Sequence, residues 1–415
     1  MAGGEAPSRF GWRSLLSLFV LALAVGINCF GRVSFTDERH TEELQYPEIF
    51  VITPNSGGLK TDAAIFEKYL GAKLSLLQDE PPPPPKQKGT ECIYIFLEVT
   101  PNQPSAATHD DWKKDQAKYQ CRIMLMVNTD QFYPENLEMP NLELMICKTR
   151  QCVSWVQKAQ EEKLSKDSNA TRVPIVYTGF TSFSPTPSAA AQPREKKSDR
   201  FGRFLHVAGS SPHKGSWNIL QAWLNYPSWP TLTITSYDNK LIDTVLMQIK
   251  LQLGLSQLPS NIRHISTKLS RQDINEMMHS HGVHLCLSGM EGFGHYLNEA
   301  RAVGALVVAA NFPAMNEMIT PETGVLVEPS NMLTWTNGLP FSNIDALTIA
   351  QLMNTVLLPM SLDRREALGK NASAAYQADQ RKFQIQISNF QCYLASCLGK
   401  NDKHSCAKSC NVDLE

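Results

Sequence analysis

Two short loops in this 415-residue chain carry the residue types that chemistry needs. The first is Gly209-Ser210-Ser211-Pro212-His213-Lys214-Gly215, between an apolar run and a helical stretch. Its small residues let a ligand approach the backbone. Lys214 offers a point charge to phosphate, and the next helix offers unpaired N–H donors. The second loop, Glu291-Gly292-Phe293-Gly294, follows another apolar run and opens a helix that contains Glu299. There the glycines let backbone N–H groups face an anion. Glu299 suits the diol of a ribose, and Glu291 suits sugar hydroxyls or a reacting centre. Each loop also has a plainer reading. A loop lysine is often only solvated, and acids are favoured in first helical turns by the helix dipole. Spacing alone leaves both readings open.

The elements that must position these loops follow from the apolar pattern. In the first half, β-rich runs at 49–53, 92–99, 122–127, 142–147 and 173–177 alternate with helical stretches at 63–70 and 149–163. In the second half, runs at 203–208, 231–236, 262–266, 283–287, 305–309 and 325–327 are separated by helices at 217–224, 243–253, 271–279 and 295–303. Strands alternating with helices predict an α/β fold of parallel sheets covered on both faces. Ligands bind such sheets at the carboxyl ends of strands, where both loops lie. Residues 183–200, rich in Ser, Pro, Ala and Lys, read as a linker between domains at 46–182 and 201–360. A helical run from 344 to 380 is expected to pack the second domain and cross back to the first, with a C-terminal helical segment placed at 361–390. A Cys-rich tail follows at 391–415. Pro81 to Pro85, with Lys86 and Lys88, read as an exposed extended loop.

The N-terminus points to a membrane. Arg9 and Arg13 precede an uncharged, mostly apolar run at 14–30, which at ~1.5 Å per residue spans about 25 Å. The run suits the h-region of a signal peptide or a short signal anchor; with no clean small-x-small cleavage site after it, the anchor is the preferred reading, with a cytosolic tail at 1–13 and a polar stem at 31–45. Asn169 and Asn371 head glycosylation sequons. Among ten cysteines, Cys392, Cys397, Cys406 and Cys410 cluster near the C-terminus. Their spacing would also suit zinc, but in an oxidising compartment two local disulfides fit better. Cys29, inside the apolar run, reads as unpaired. These features predict a single-pass type II protein of the endoplasmic reticulum or Golgi membrane with a lumenal catalytic part. A formal net charge of -1 gives no reason to expect nucleic acid. His279, His281 and His284 span a helix end and a strand start, so a metal site there is not expected.

The residues from Leu269 to Glu328 resemble the donor-binding half of the retaining, GT-B-fold enzymes of the large glycosyl transferases group 1 family (family 4). Ser270 opens a helix, and an apolar strand leads to Glu291-Gly292-Phe293-Gly294-His295-Tyr296-Leu297-Asn298-Glu299-Ala300. Gly304-Ala305-Leu306-Val307-Val308, Glu317 and Thr323-Gly324-Val325-Leu326-Val327 follow in the family's order.

The resemblance implies two Rossmann-like domains facing a cleft and transfer of a sugar from a UDP- or GDP-sugar to a glycan, protein or lipid acceptor. It implies that Glu299 holds the donor ribose and Glu291 the donor sugar. Phe293, Gly294 and His295 would contact phosphate and sugar through their backbone, and Lys214, beside Gly209, would neutralise the diphosphate. Ser210 stands where the family has an arginine, so one cation at the leaving group must come from elsewhere. Gly57 and Gly58 sit where this fold has a glycine-rich loop near donor phosphates and acceptor. Lys148, Thr149 and Arg150 follow a strand and suit either the cleft or an ordinary helix start. No Asp-x-Asp occurs, so a metal held by that motif is not expected, nor is a cofactor. A glycoside hydrolase using Glu291 and Glu299 as its acid/base pair fits less well, because its substrates lack the phosphate that the glycine loop suits. The same fold could also serve a non-catalytic subunit that binds a nucleotide sugar or a partner, or a nucleotide-sugar epimerase.

Overall fold

The structure, a computed structural model, describes residues 46–76 except 56, 92–98, 121–187 except 140, 200–237 except 210, 240–254 except 253, 257–334, and 338–415 except 399 and 401. The expected tail, anchor and stem (1–45), the Pro81–Pro85 loop and most of the linker lie outside the described residues. Among those described, no helix is long and apolar enough to cross a membrane.

The first domain runs β1 (Glu48–Thr53), α1 (Gly57–Leu70), β2 (Lys73–Leu76), β3 (Cys92–Leu97), β4 (Arg122–Val127), β5 (Leu142–Cys147), α2 (Arg150–Lys166) and β6 (Ile175–Tyr177). Its strands lie in the order β2-β1-β3-β4-β5-β6, and every pair is parallel. The second domain runs β7 (Phe204–Val207), α3 (Ser216–Asn225), β8 (Leu232–Thr235), α4 (Lys240–Gln252), β9 (Ile262–Ile265), α5 (Arg271–Ser280), β10 (Val283–Cys286), α6 (His295–Ala302), β11 (Leu306–Ala310), α7 (Met315–Met318) and β12 (Gly324–Val327). Its sheet, again all parallel, has the order β12-β11-β10-β7-β8-β9. A hairpin of β13 (Asn331–Thr334) and β14 (Pro340–Asn343) follows, then α8 (Ala346–Leu352), α9 (Leu362–Ser396) and α10 (Lys403–Ser409).

The sequence explains the sheets. β3 reads CIYIFL and β11 reads LVVAA, and every residue of both is buried. Such unbroken apolar runs suit strands covered on both faces. The two sheets each reverse their winding once, between β1 and β3 and between β7 and β10. Those reversal points are where open α/β sheets leave a crevice for ligands.

The long helix α9 leaves the second domain and returns to the first. Phe383, Ile387, Phe390 and Tyr393 join Ile49, Phe66 and Ile93 in one buried cluster, along with Cys397, Ala407, Cys410 and Val412 of the tail. At the end of the chain, Glu415 exchanges both backbone hydrogen bonds with Ile175 of β6. The structure pairs Cys392 with Cys410, Cys397 with Cys406, Cys92 with Cys121, and Cys147 with Cys152.

Three expectations need correction. The helical segment does not stop at 390; α9 continues through Cys392 to Ser396, because its apolar face still has the first domain's core to cover. Gly57 and Gly58 form no loop, since they are the first two residues of α1, where amides lack intrahelical partners anyway. β2 and the β13–β14 hairpin went unforeseen. β13 is exposed at all four positions and β2 is at most half-buried, so neither carries a burial pattern in its sequence.

Candidate functional site

Segments that follow β1, β3, β7 and β10, the strands that flank the two reversal points, converge on one cavity of about 540 Å³, joined by residues that follow β4, β5 and β9. The size suits a drug-sized or nucleotide-sized ligand. Gly57, Gly58, Gly209, Lys214, Glu291, Phe293, Gly294, His295 and Glu299 all line this cavity. Ser210 lies outside the described residues. Asn169 is exposed in the turn after α2. Asn371 is exposed on α9 and donates its amide to the Glu322 carbonyl at 2.9 Å.

One side of the cavity is built by two helix starts. Gly294 caps α6 at φ 96°, and Gly215 caps α3 at φ 72°, both left-handed conformations that glycine adopts without strain. A Cβ on Gly215 would sit 2.3 Å from the Leu287 carbonyl, so this turn also needs the missing side chain. Just before it, Lys214 extends its ammonium over the Tyr296 ring, 4.1 Å from the centroid, and pairs with Glu291 Oε1. The Tyr296 hydroxyl bonds Ser288 Oγ at 3.1 Å, and burial raises its pKa well above the usual phenol range. Lys214 therefore rests on a neutral ring beneath the cavity. His206, directly under the loop, bonds the Leu285 carbonyl and Ser216 Oγ. Burial drives its pKa down to about 4, with Lys214 adding to the shift, so it is neutral at physiological pH.

Glu299 lines the same cavity, buried on α6 and ion-paired with Arg271 at the start of α5. Ser270 caps α5 in a capping box with Asp273, which fixes where Arg271 emerges. Arg271 lines the cavity, and the sequence reading missed it. The available signal was its place immediately after a helix-capping serine.

Across the gap, the first domain contributes a buried charge network that the sequence also hid. Asp62 Oδ2 receives Lys148 Nζ at 2.8 Å, and Oδ1 receives His295 Nε2 at 2.7 Å. Burial penalises the Asp62 carboxylate, but Lys148 and His295 outweigh it and hold its pKa below the usual range. His295 Nδ1 in turn shares a hydrogen bond with Ser182 Oγ at 2.8 Å, and Ser182 accepts from Asn298 at 3.3 Å. This Ser-His-Asp array is a strut rather than a nucleophile site. Ser182 is 1% exposed and is not among the residues that line the cavity.

Glu98 and Asn128 complete the first-domain wall. Glu98, one residue past β3, holds φ 68°, a left-handed conformation that costs a non-glycine residue about 1–3 kcal/mol. Asn128 packs against Gly292, whose added Cβ would meet its Oδ1 at 2.5 Å. That Oδ1 is buried and makes no hydrogen bond. Glu317 of α7 binds the first domain too, accepting from the amides of Arg150 and Gln151 at 2.8 and 2.9 Å. The three histidines 279, 281 and 284 bond to separate partners: the Pro185 carbonyl, Thr233 Oγ1, and the Met278 and His281 carbonyls.

With this geometry in place, comparison with known proteins bears directly on the family. Residues 247–339 match the family described as glycosyl transferases group 1. The resemblance read from the sequence thus holds, and the match covers Arg271, Glu291 and Glu299 together. No curated protein sequence matches the chain. Among solved structures, sucrose-phosphate synthase from Thermosynechococcus elongatus superposes with a TM-score of 0.55 at 15% identity, covering 83% of this chain and 98% of that one. HepE from Anabaena, in complex with UDP-glucose, gives 0.51 at 14% identity over 83% and 98%. An α,α-trehalose-phosphate synthase (UDP-forming) from Burkholderia vietnamiensis gives 0.58 at 10% identity over 86% and 99%. These likenesses concern the fold: two parallel-sheet α/β domains of the GT-B kind.

Proposed function

We propose that the chain is a glycosyltransferase that takes a nucleoside-diphosphate sugar in the cavity and transfers the sugar with retention and without a metal ion. One observation carries this reading: Lys214, Glu299 and the amino end of α6, capped by Gly294, line one hollow. The ribose diol donates to Glu299 while the diphosphate meets the amides after Gly294 and the ammonium of Lys214. Charge grows on the diphosphate as the glycosidic bond breaks, and these groups are already oriented towards it. Arg271, on the same cavity, supplies the second cation that Ser210 cannot. The structure pairs Glu291 with Lys214 and Arg271 with Glu299. Donor binding exchanges these internal pairs for pairs with the ligand. The freed Glu291 carboxylate then holds the sugar hydroxyls, and the acceptor attacks from the face the diphosphate leaves.

UDP and UDP-glucose are the donors to try first. We further propose that the apolar run at 14–30 anchors the enzyme in the endoplasmic reticulum or Golgi membrane with its folded part in the lumen, acting on a glycan, protein or lipid. Four disulfides support an oxidising compartment. Thermal shift against UDP, GDP and their common sugars tests the donor assignment, because selective binding raises apparent stability. A chain whose melting temperature responds to none of them is not this enzyme.

A further inference from the structure

Phe293 stands between two glycines in the loop that carries Glu291, so the backbone there does not by itself fix where Glu291 and the first amides of α6 stand. The Phe293 side chain supplies what the backbone lacks. Its loop belongs to the second domain, yet its ring is buried in the first domain's core cluster. There it meets Phe180 edge-on, with ring centroids 5.5 Å apart and planes at 81°. On the other side of Gly294, the His295 ring meets the same phenylalanine at 6.1 Å. The left-handed turn at Gly294 is thus flanked by two side chains that rest on one residue of the other domain. Edge-to-face contacts are directional, so they define an orientation as well as a distance.

Phe180 is itself held from several directions. It follows β6, and Phe66 of α1 and Phe383 of α9 pack on its ring at 5.8 and 5.5 Å. Thr178 donates its amide to the Cys147 carbonyl at 3.1 Å, and the Ser182 carbonyl accepts from the Tyr376 hydroxyl of α9 at 2.7 Å. The segment 178–182 therefore stays with the first domain and the returning helix. Phe180 is not among the residues that line the donor cavity. We infer that Phe180 is a positioning residue for sugar transfer, acting through Phe293 and His295 to hold Glu291 and the amino end of α6 in place. This step rests on the function proposed above.

Two readouts test the inference, and the first needs no ligand. The Asn298 amide donates to the Gly294 carbonyl at 3.1 Å, so hydrogen exchange there reports on the first turn of α6. Phe180→Leu should quicken this exchange about fivefold or more, because the loosening is local. Phe390→Leu is the control, since its ring stacks on Tyr393 in the same core cluster. It should lower the melting temperature and leave both the exchange and kcat as they are. The second readout is hydrolysis of UDP-glucose to UDP and glucose, with water standing in for the acceptor. Phe180→Leu should lower its kcat about tenfold to a hundredfold, the effect of a slightly misplaced group. UDP affinity should hold, because Lys214, Arg271 and Glu299 stay where they are. Phe293→Leu should act alike, and the double variant should be no slower than the worse single one, because the two rings form one contact. Unchanged exchange in Phe180→Leu, an equal loss of kcat in Phe390→Leu, or single effects that multiply in the double variant overturns the inference and leaves UDP binding to stand. A wild-type chain that binds neither UDP nor UDP-glucose sinks the donor reading, and this inference with it.

Discussion

His295, the first residue of α6, donates its Nε2 hydrogen to Asp62 Oδ1 of the other domain at 2.7 Å. The first residue of α6 is thus fastened to a carboxylate that is itself buried and paired with Lys148. Closure of the two domains and orientation of the helix amides meet in one hydrogen bond. Glu317 reciprocates by capping α2 of the first domain.

Removing Asp62 alone should be costly. Lys148 is 3% exposed, and an ammonium left there without its partner costs about 3–5 kcal/mol. Asp62→Ala should lower the urea midpoint accordingly, and adding Lys148→Met should recover more than half of the loss. Equal stability of the single and double variants would show that the pair does not carry this part of the fold.

Lys214 and Glu299 should separate by the parameter they affect. Lys214→Ala should lower kcat about 10²–10³-fold, the usual effect of losing one group that stabilises developing charge. Glu299→Ala should weaken nucleotide affinity by about tenfold or more, the worth of a hydrogen bond to a charged group, with little change in melting temperature. Titration calorimetry with the nucleoside diphosphate reads the second effect, and an unchanged affinity would remove Glu299 from the donor site.

Gly215→Ala should be among the more damaging single-methyl changes. The new Cβ would meet a backbone carbonyl at 2.3 Å in a left-handed residue, so neither partner can yield cheaply. A loss of about 2–4 kcal/mol is expected, from strain and overpacking combined. Denaturant titration measures it. A loss below about 0.5 kcal/mol would mean that the loop after β7 is held less firmly than its contacts imply.

Acid should destabilise the enzyme well before its carboxylates titrate. Burial lowers the pKa of His206 to about 4 and that of His284 to about 3, against an ordinary 6.5 in the unfolded chain. Between those values the unfolded chain binds protons that the folded one refuses. The stability is therefore fully present above pH 6.5 and is lost as pH falls towards 4 and 3. At pH 5 each histidine should cost about 2 kcal/mol. Unfolding curves at pH 7.5 and 5.0 that coincide would contradict this.

The sheets were legible because parallel strands buried on both faces read as unbroken apolar runs, as in LVVAA of β11. Lys214, Glu291 and Glu299 were legible because the ordered motifs around them resemble the glycosyl transferases group 1 family, where spacing alone had left them open. Asp62 was not. Its helix looks amphipathic, and the burial that gives the carboxylate meaning comes from Lys148 and His295, 86 and 233 residues away in the chain. Glu98 was hidden for a different reason, since a left-handed backbone leaves no trace in residue type when the residue is not glycine. Cys92 and Cys121 are 29 residues apart in sequence but side by side at the starts of the adjacent parallel strands β3 and β4, so only the sheet order reveals the pair.

The return of α9 has a consequence for biosynthesis. Phe390, Tyr393, Cys410 and Val412 complete a core begun by Ile49 and Phe66, so one face of the first domain waits for residues translated after the whole second domain. A nascent chain that has not reached residue 390 leaves that face uncovered, and exposed apolar surface of this kind is what chaperones bind.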